Sequence, residues 1–155
     1  MALFDLKDAA ILIVDDQPDN LRLVSRFLEN YGADVMLGHN GADGLAKARL
    51  GEPDLILLDI MMPGMDGFEV CRALKADAAT AAIPVIFLTA LGEMEDKLQA
   101  FEAGGVDYLV KPLQEMEVVA RADVHLRLRR ALEQAQTASR AKTAFLASMN
   151  HEIRT

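Results

Sequence analysis

The stretch LILLDIMMPGMDGFEV, residues 55–70, divides into three pieces. Leu55–Leu58 is an unbroken apolar run that closes on Asp59. Pro63 and Gly64 then supply a turn, and Asp66 stands where an N-cap opens a helix. A strand that is apolar at every position, rather than at alternate ones, is covered on both faces. One strand–turn–helix unit decides little alone, so the question is whether the pattern recurs.

It recurs along the first 110 residues. Four more short apolar runs, Ile11–Val14, Val35–Leu37, Val85–Leu88 and Tyr108–Val110, punctuate the chain. Between the runs lie stretches with helical spacing, roughly 19–31, 41–50, 66–77 and 94–103; Leu21, Val24, Phe27 and Leu28 repeat at three- and four-residue steps. Gly32 and Gly104–Gly105 sit where helices end. Solid apolar strands alternating with helices predict an α/β fold, a five-stranded parallel sheet doubly wound by helices. Ligands of such sheets bind outside the carboxyl ends of the strands.

From Gln114 to Thr155 there is no Gly and no Pro. At 1.5 Å per residue this run makes a helix roughly 60 Å long, whose first part packs as the fifth helix and whose remainder projects. Two heptad registers compete in it. One runs through His125, Leu128, Leu132, Ala135, Ser139, Lys142, Leu146, Met149 and Ile153. The other takes Val124, Leu128, Ala131, Ala135, Ala138, Lys142, Phe145, Met149 and Glu152. Both place small residues and Lys142 at the centre, where the seam is weak. The pattern predicts a coiled-coil dimer with its register open.

Composition narrows the class. The 155 residues are 52% hydrophobic and 26% charged, which suits one domain with a real core plus an appendage. Residues 1–112 hold 19 acids and 9 bases, against 5 acids and 7 bases in 113–155. An acidic main domain does not grip phosphate backbones, and Arg127, Arg129 and Arg130 read as a solvated helix face, so nucleic-acid binding is not expected. No apolar run approaches the roughly 18 residues of a membrane span, and the single Cys71 excludes an internal disulfide. These features predict a cytoplasmic location, with Cys71 serving helix packing.

The strand ends carry the chemistry. The first run stops at Asp15-Asp16, the third at Asp59, the fourth at Thr89 and the fifth at Lys111-Pro112. On a parallel sheet these ends share one edge, so three carboxylates, a hydroxyl and an ammonium converge. Two carboxylates about 5 Å apart repel by roughly 3 kcal/mol at an effective dielectric near 20, so three call for a cation. An all-oxygen donor set points to Mg²⁺ or Mn²⁺ rather than zinc. A hard cation and a lysine around a carboxylate fit phosphoryl transfer, in which the carboxylate can be the nucleophile.

The segments ILIVDDQPDN, LILLDIMMPGMDGFEV, PVIFLTA and DYLVKP together resemble response-regulator receiver domains of two-component signalling, over about residues 8–125. The resemblance implies a flavodoxin-like fold and a phosphoacceptor at Asp59. It implies that Asp16 and Asp59 ligate Mg²⁺ directly, with the Met61 carbonyl, while Asp15 acts mostly through water. Thr89 and Lys111 would hold the phosphoryl oxygens, the Lys111–Pro112 bond would be cis, and Thr89 and Tyr108 would form the switch. The methionines of MMPGMDG read as packing. His39 and His125 receive no role.

The last residues, FLASMNHEIRT, are similar to the phosphoacceptor box on the dimerisation helix of sensor histidine kinases. That resemblance implies a phosphorylated His151, Glu152 as its acid/base neighbour, and Thr155 at the position that orients water in the family's phosphatase reaction. Phe145, Met149 and Ile153 would face a bundle core. Asn150 replaces the commoner Ser, and neither the Pro and second helix nor the ATP-binding domain that usually follow is present. The expected organisation is a receiver at 1–125, a helical coiled-coil linker at 126–144, and the start of a kinase dimerisation helix at 145–155.

The expected function is a Mg²⁺-dependent phosphoacceptor that regulates an attached histidine kinase through a dimeric helix. Its phosphodonor would be a histidine kinase or phosphotransfer protein. Without an ATP-binding domain the chain itself is not expected to phosphorylate His151. Two alternatives are a stand-alone regulator whose tail only dimerises it, and a metal-dependent phosphohydrolase with Asp59 as nucleophile; the latter lacks a substrate lid.

Overall fold

The computed structural model describes residues 4–90 and 94–154. Five strands alternate with five helices: β1 (Ala10–Val14), α1 (Pro18–Glu29), β2 (Asp34–Gly38), α2 (Gly41–Gly51), β3 (Leu55–Asp59), α3 (Gly67–Ala76), β4 (Val85–Thr89), α4 (Met94–Glu102), β5 (Asp107–Val110) and α5 (Glu115–Arg154). All strand pairs are parallel, in the order β2-β1-β3-β4-β5, the doubly wound order of flavodoxin-like sheets.

Two apolar layers sandwich this sheet. On one face Leu21, Val24 and Leu28 of α1 and Val118, Val119, Ala122 and Leu126 of α5 pack on Ile11, Ile13, Leu55 and Leu57. On the other, Phe68, Cys71 and Leu74 of α3, with Ala48 and Ala100, cover Leu12, Val14, Ile56 and Leu58. Alternate residues of each inner strand serve opposite layers, so β3 is buried at all five positions. That is the physical reason for its solid apolar run.

Helix ends follow local chemistry. The Asp66 side chain caps α3 by accepting the Glu69 N–H at 2.9 Å. Asn40 caps α2 in the same way through the Asp43 N–H. Gly32 and Gly104 turn the chain with φ of +96° and +103°, a region open to glycine without Cβ strain.

Helix α5 continues without interruption from Glu115 to Arg154, about 60 Å at 1.5 Å per residue. Its last buried position is Leu126 among the described side chains, and residues 130–144 are exposed throughout. Leu128, Leu132 and Leu146 lie along this stalk, each about half exposed or more. The side chains of His151 and Glu152, and all of Thr155, lie outside the described residues. Among the described residues no helix is long and apolar enough to cross a membrane.

Candidate phosphoacceptor site

The carboxyl ends of β1, β3 and β4 meet the β5–α5 loop, and the chemistry gathers there. Asp15 follows β1 directly, held by its backbone N–H to the Gly38 carbonyl at 3.1 Å. Asp59 is the last residue of β3 and Thr89 the last of β4. Lys111 follows β5; its N–H reaches the Thr89 carbonyl at 2.7 Å, and the Lys111–Pro112 bond is cis, as the resemblance implied. Each polar group stands where an apolar strand runs out, so the layers that bury the strands also fix the site.

Asp15, Asp16 and Asp59 each offer a carboxylate oxygen, and these oxygens lie within 4.8 Å of one another. Asp15 is fully buried and Asp59 only 3% exposed. The Lys111 ammonium stands 3.2 Å from Asp59 Oδ1 and 3.6 Å from Asp15 Oδ2. The longer of these is an electrostatic contact rather than a hydrogen bond. Asp15 Oδ1 accepts the Gln17 N–H at 2.9 Å, whereas Asp15 Oδ2 is buried without a hydrogen-bond partner. A buried, orphaned carboxylate oxygen is costly. One lysine among three carboxylates leaves the pocket short of positive charge, and its oxygen-only donor set suits a hard divalent cation.

The charge balance shows on Asp59. Burial, followed by the neighbouring Asp15 carboxylate, pushes its pKa up from 3.8 to about 6, against the opposing pull of Lys111 and the Met61 backbone. A positive charge in the pocket would reverse this and keep the carboxylate ionised at neutral pH.

The loop after Asp59 is shaped by two glycines. Gly64 adopts φ +79° in the turn. At Gly67 a Cβ would lie 2.4 Å from the Asp59 carbonyl oxygen, so only glycine lets the start of α3 approach the end of β3. In the same loop Met62 is buried, but Met61, two residues after Asp59, is 75% exposed. Packing therefore accounts for Met62 and not for Met61. A groove of about 600 Å³ runs from Met61 and Pro63 past Asp66 and Arg72 to Gln99.

Tyr108 lies on β5, two residues before the position paired with Thr89. Its ring is half-buried against the α3 layer, and Lys97 of α4 holds its ammonium 4.9 Å from the ring centroid, within cation–π range. Thr89 is nearly buried at the strand end.

Sequence reasoning missed a cluster on the same strand. Asp107, immediately before Tyr108, accepts the Tyr108 N–H at 2.8 Å, the Arg121 Nη1 at 2.8 and 2.9 Å, and meets His125 Nε2 at 3.0 Å. Burial alone would raise the Asp107 pKa, but His125, Arg121 and the Tyr108 N–H together hold it below the ordinary aspartate value. Further along α5, Arg129 donates to the Pro53 carbonyl at 2.9 Å, so one of the three arginines read as a solvated face is anchored to the domain. The partners supplied by α5 lie 14 to 76 residues from the groups they meet; the only local signal was a histidine and an arginine on the helix face turned towards the sheet.

Comparison with known proteins gives a consistent result. The family model described as response regulator receiver domain matches residues 11–123. The DNA-binding dual master transcriptional regulator RpaA of Synechocystis is 50% identical over 117 residues, covering 76% of this chain and 48% of that protein. Protein PilH of Pseudomonas aeruginosa is 46% identical over 107 residues, covering 69% of this chain and 88% of PilH. This chain thus spans about half the length of the first relative and most of the second. Among solved structures, a response regulator of Chloroflexus aurantiacus superposes with a TM-score of 0.75 at 32% identity, covering 78% of this chain and 99% of the other. The receiver domain of a signal transduction histidine kinase from Syntrophus aciditrophicus gives 0.71 at 34% identity, covering 77% and 90%.

Proposed function

This chain belongs to the response regulator receiver family, and from that premise we propose that Asp59 is its phosphoacceptor and that the stalk carries the signal onward. The observation that carries this reading is the setting of Asp59: nearly buried, 3.2 Å from the Lys111 ammonium, beside an Asp15 oxygen with no hydrogen-bond partner.

In the proposed reaction an Asp59 carboxylate oxygen attacks the phosphorus of a phosphohistidine on a histidine kinase or phosphotransfer protein. The new O–P bond forms as the P–N bond breaks, and the imidazole leaves and takes up a proton. Asp15, Asp16 and Asp59, with the Met61 carbonyl, would hold Mg²⁺ or Mn²⁺, which when bound neutralises charge on the phosphoryl oxygens. Lys111 supplies a fixed positive charge to the same oxygens, and the Thr89 hydroxyl a hydrogen bond. Drawing Thr89 inwards vacates space for Tyr108, whose neighbour Asp107 ties β5 to Arg121 and His125 of α5.

Downstream, the stalk joins two copies of the chain in parallel and brings both His151 residues to one end. His151 is the phosphoacceptor and Glu152 the acid/base residue of a cytoplasmic histidine kinase to which the receiver is attached. The exposed Leu128, Leu132 and Leu146 support this reading, since burying one leucine is worth roughly 1.5–3 kcal/mol.

Incubation with acetyl phosphate and Mg²⁺ tests the central step. Intact mass spectrometry should show one added phosphoryl group, absent after chelation of the metal and absent in Asp59→Asn. Undiminished labelling of that variant would place the acceptor elsewhere.

A further inference from the structure

At the amino-terminal edge of the sheet, opposite the aspartates, the stalk leaves the domain beside a cavity of about 280 Å³. Its apolar walls have two sources. Pro84 and Val106 stand just ahead of β4 and β5, while Leu128 and Leu132 belong to α5. Lys75, from the last turn of α3, Arg129 and His125 add polar groups to the lining; none of its described residues is acidic, and Arg129 and His125 meet the carboxylates of Glu133 and Asp107 from outside it.

Both cations are held in place. Lys75 Nζ donates to the carbonyls of Ala81 at 3.0 Å and Ile83 at 2.6 Å. Arg129 donates to the Pro53 carbonyl and, through Nε, to Glu133 at 2.9 Å. An ammonium has three donors and a guanidinium five, so each keeps N–H groups beyond these bonds. Burial first, against the opposing pull of Cys71 and with a smaller contribution from the Arg129 charge, draws the Lys75 pKa below the ordinary lysine value. An apolar hollow with two fixed cations in its lining is complementary to a molecule with an apolar body and one negative end.

We propose that this cavity binds a small amphiphilic carboxylate, an aliphatic or aromatic monoanion of about ten non-hydrogen atoms. The apolar body packs between Pro84 and Val106 on one side and the domain-facing flanks of Leu128 and Leu132 on the other, leaving the outer sides of these leucines to the stalk, and the carboxylate meets Lys75 and Arg129. Such a ligand bridges the domain and the root of the stalk. The proposal does not rest on the phosphoryl chemistry at Asp59.

Titrating the isotopically labelled full chain with sodium octanoate, followed by amide NMR, tests the proposal; 1-octanol is the neutral comparison. Octanoate should give saturable shifts at Val106, Leu128 and Leu132, with half-saturation on the order of 0.1–1 mM. Octanol should bind about fivefold or more weakly. Lys75→Met and Arg129→Gln, checked for folding by circular dichroism and by Asp59 phosphorylation, should each weaken octanoate and leave octanol unchanged. If a variant does not fold, the octanoate–octanol comparison on the unaltered chain still decides. Shifts that stay linear to about 10 mM, or saturate away from these residues, would remove the site. Equal affinity for octanol would overturn the anionic class.

Discussion

Replacing Asp59 by Asn in the metal-free protein should make it more stable at neutral pH, even though the substitution removes the central residue of the site. Burial and the Asp15 carboxylate raise the folded-state pKa of Asp59 from 3.8 to about 6. For an acid the sign follows directly: a folded-state pKa above the unfolded value means that ionisation costs stability. The cost is complete above pH 6, shrinks as pH falls from about 6 to about 4, and vanishes below. A rise from 3.8 to about 6 corresponds to about 3 kcal/mol at 1.36 kcal/mol per pKa unit. Asparagine also forfeits the Lys111 contact at 3.2 Å, so the expected net gain is about 1–3 kcal/mol, or roughly 3–9 °C in Tm. Urea unfolding of both proteins at pH 7.5 and pH 4, with chelator present, measures it. Adding Mg²⁺ at pH 7.5 should then stabilise the parent chain more than the variant. The reasoning fails if Asp59→Asn is no more stable at pH 7.5, or if its advantage persists undiminished at pH 4.

Other outcomes follow from single contacts. Lys111→Met should slow phosphorylation of Asp59 by acetyl phosphate about 10²-fold, as loss of a charged donor does, while circular dichroism stays unchanged; a normal rate would exclude Lys111 from the chemistry. Gly67→Ala places a Cβ 2.4 Å from the Asp59 carbonyl oxygen and should cost about 1–3 kcal/mol in urea unfolding; an unchanged midpoint would show that the α3 start can shift freely. Light scattering should find the full chain dimeric at tens of micromolar and a version ending near Leu126 monomeric. Two monomers would take away the physical basis of stalk pairing.

The strands were legible because both faces of the sheet are covered, which forces unbroken apolar runs at β1, β3 and β4. Where that pressure relaxes, the boundaries drift. Strand β2 lies at the edge of the sheet and begins and ends one residue beyond Val35–Leu37, because Asp34 and Gly38 pair with Ala10 and Val14 through the backbone alone. The aspartates and Lys111 were legible for a topological reason, since all follow parallel strands and share an edge. The exposure of the Met61 side chain was not, because two adjacent methionines in a turn give no sign of which one points outwards. The Asp107 cluster was hidden as well: its members come from a strand start and two turns of a helix, and nothing in their spacing links them.

The unbroken course of α5 has a mechanical consequence. Its near end is pinned at Arg121, His125 and Arg129, and 22 residues separate Arg129 from His151. As one continuous helix, that span is an arm of about 33 Å at 1.5 Å per residue. Tilting such an arm by about 5° at its pivot sweeps the far backbone through roughly 3 Å. A displacement of that size is comparable to the 3–3.5 Å approach that reacting atoms require. On the proposed role of His151, a shift at the pinned end too small to disturb the packing of the sheet would therefore be magnified, at the other end of the arm, into the difference between a group within striking distance and one out of reach.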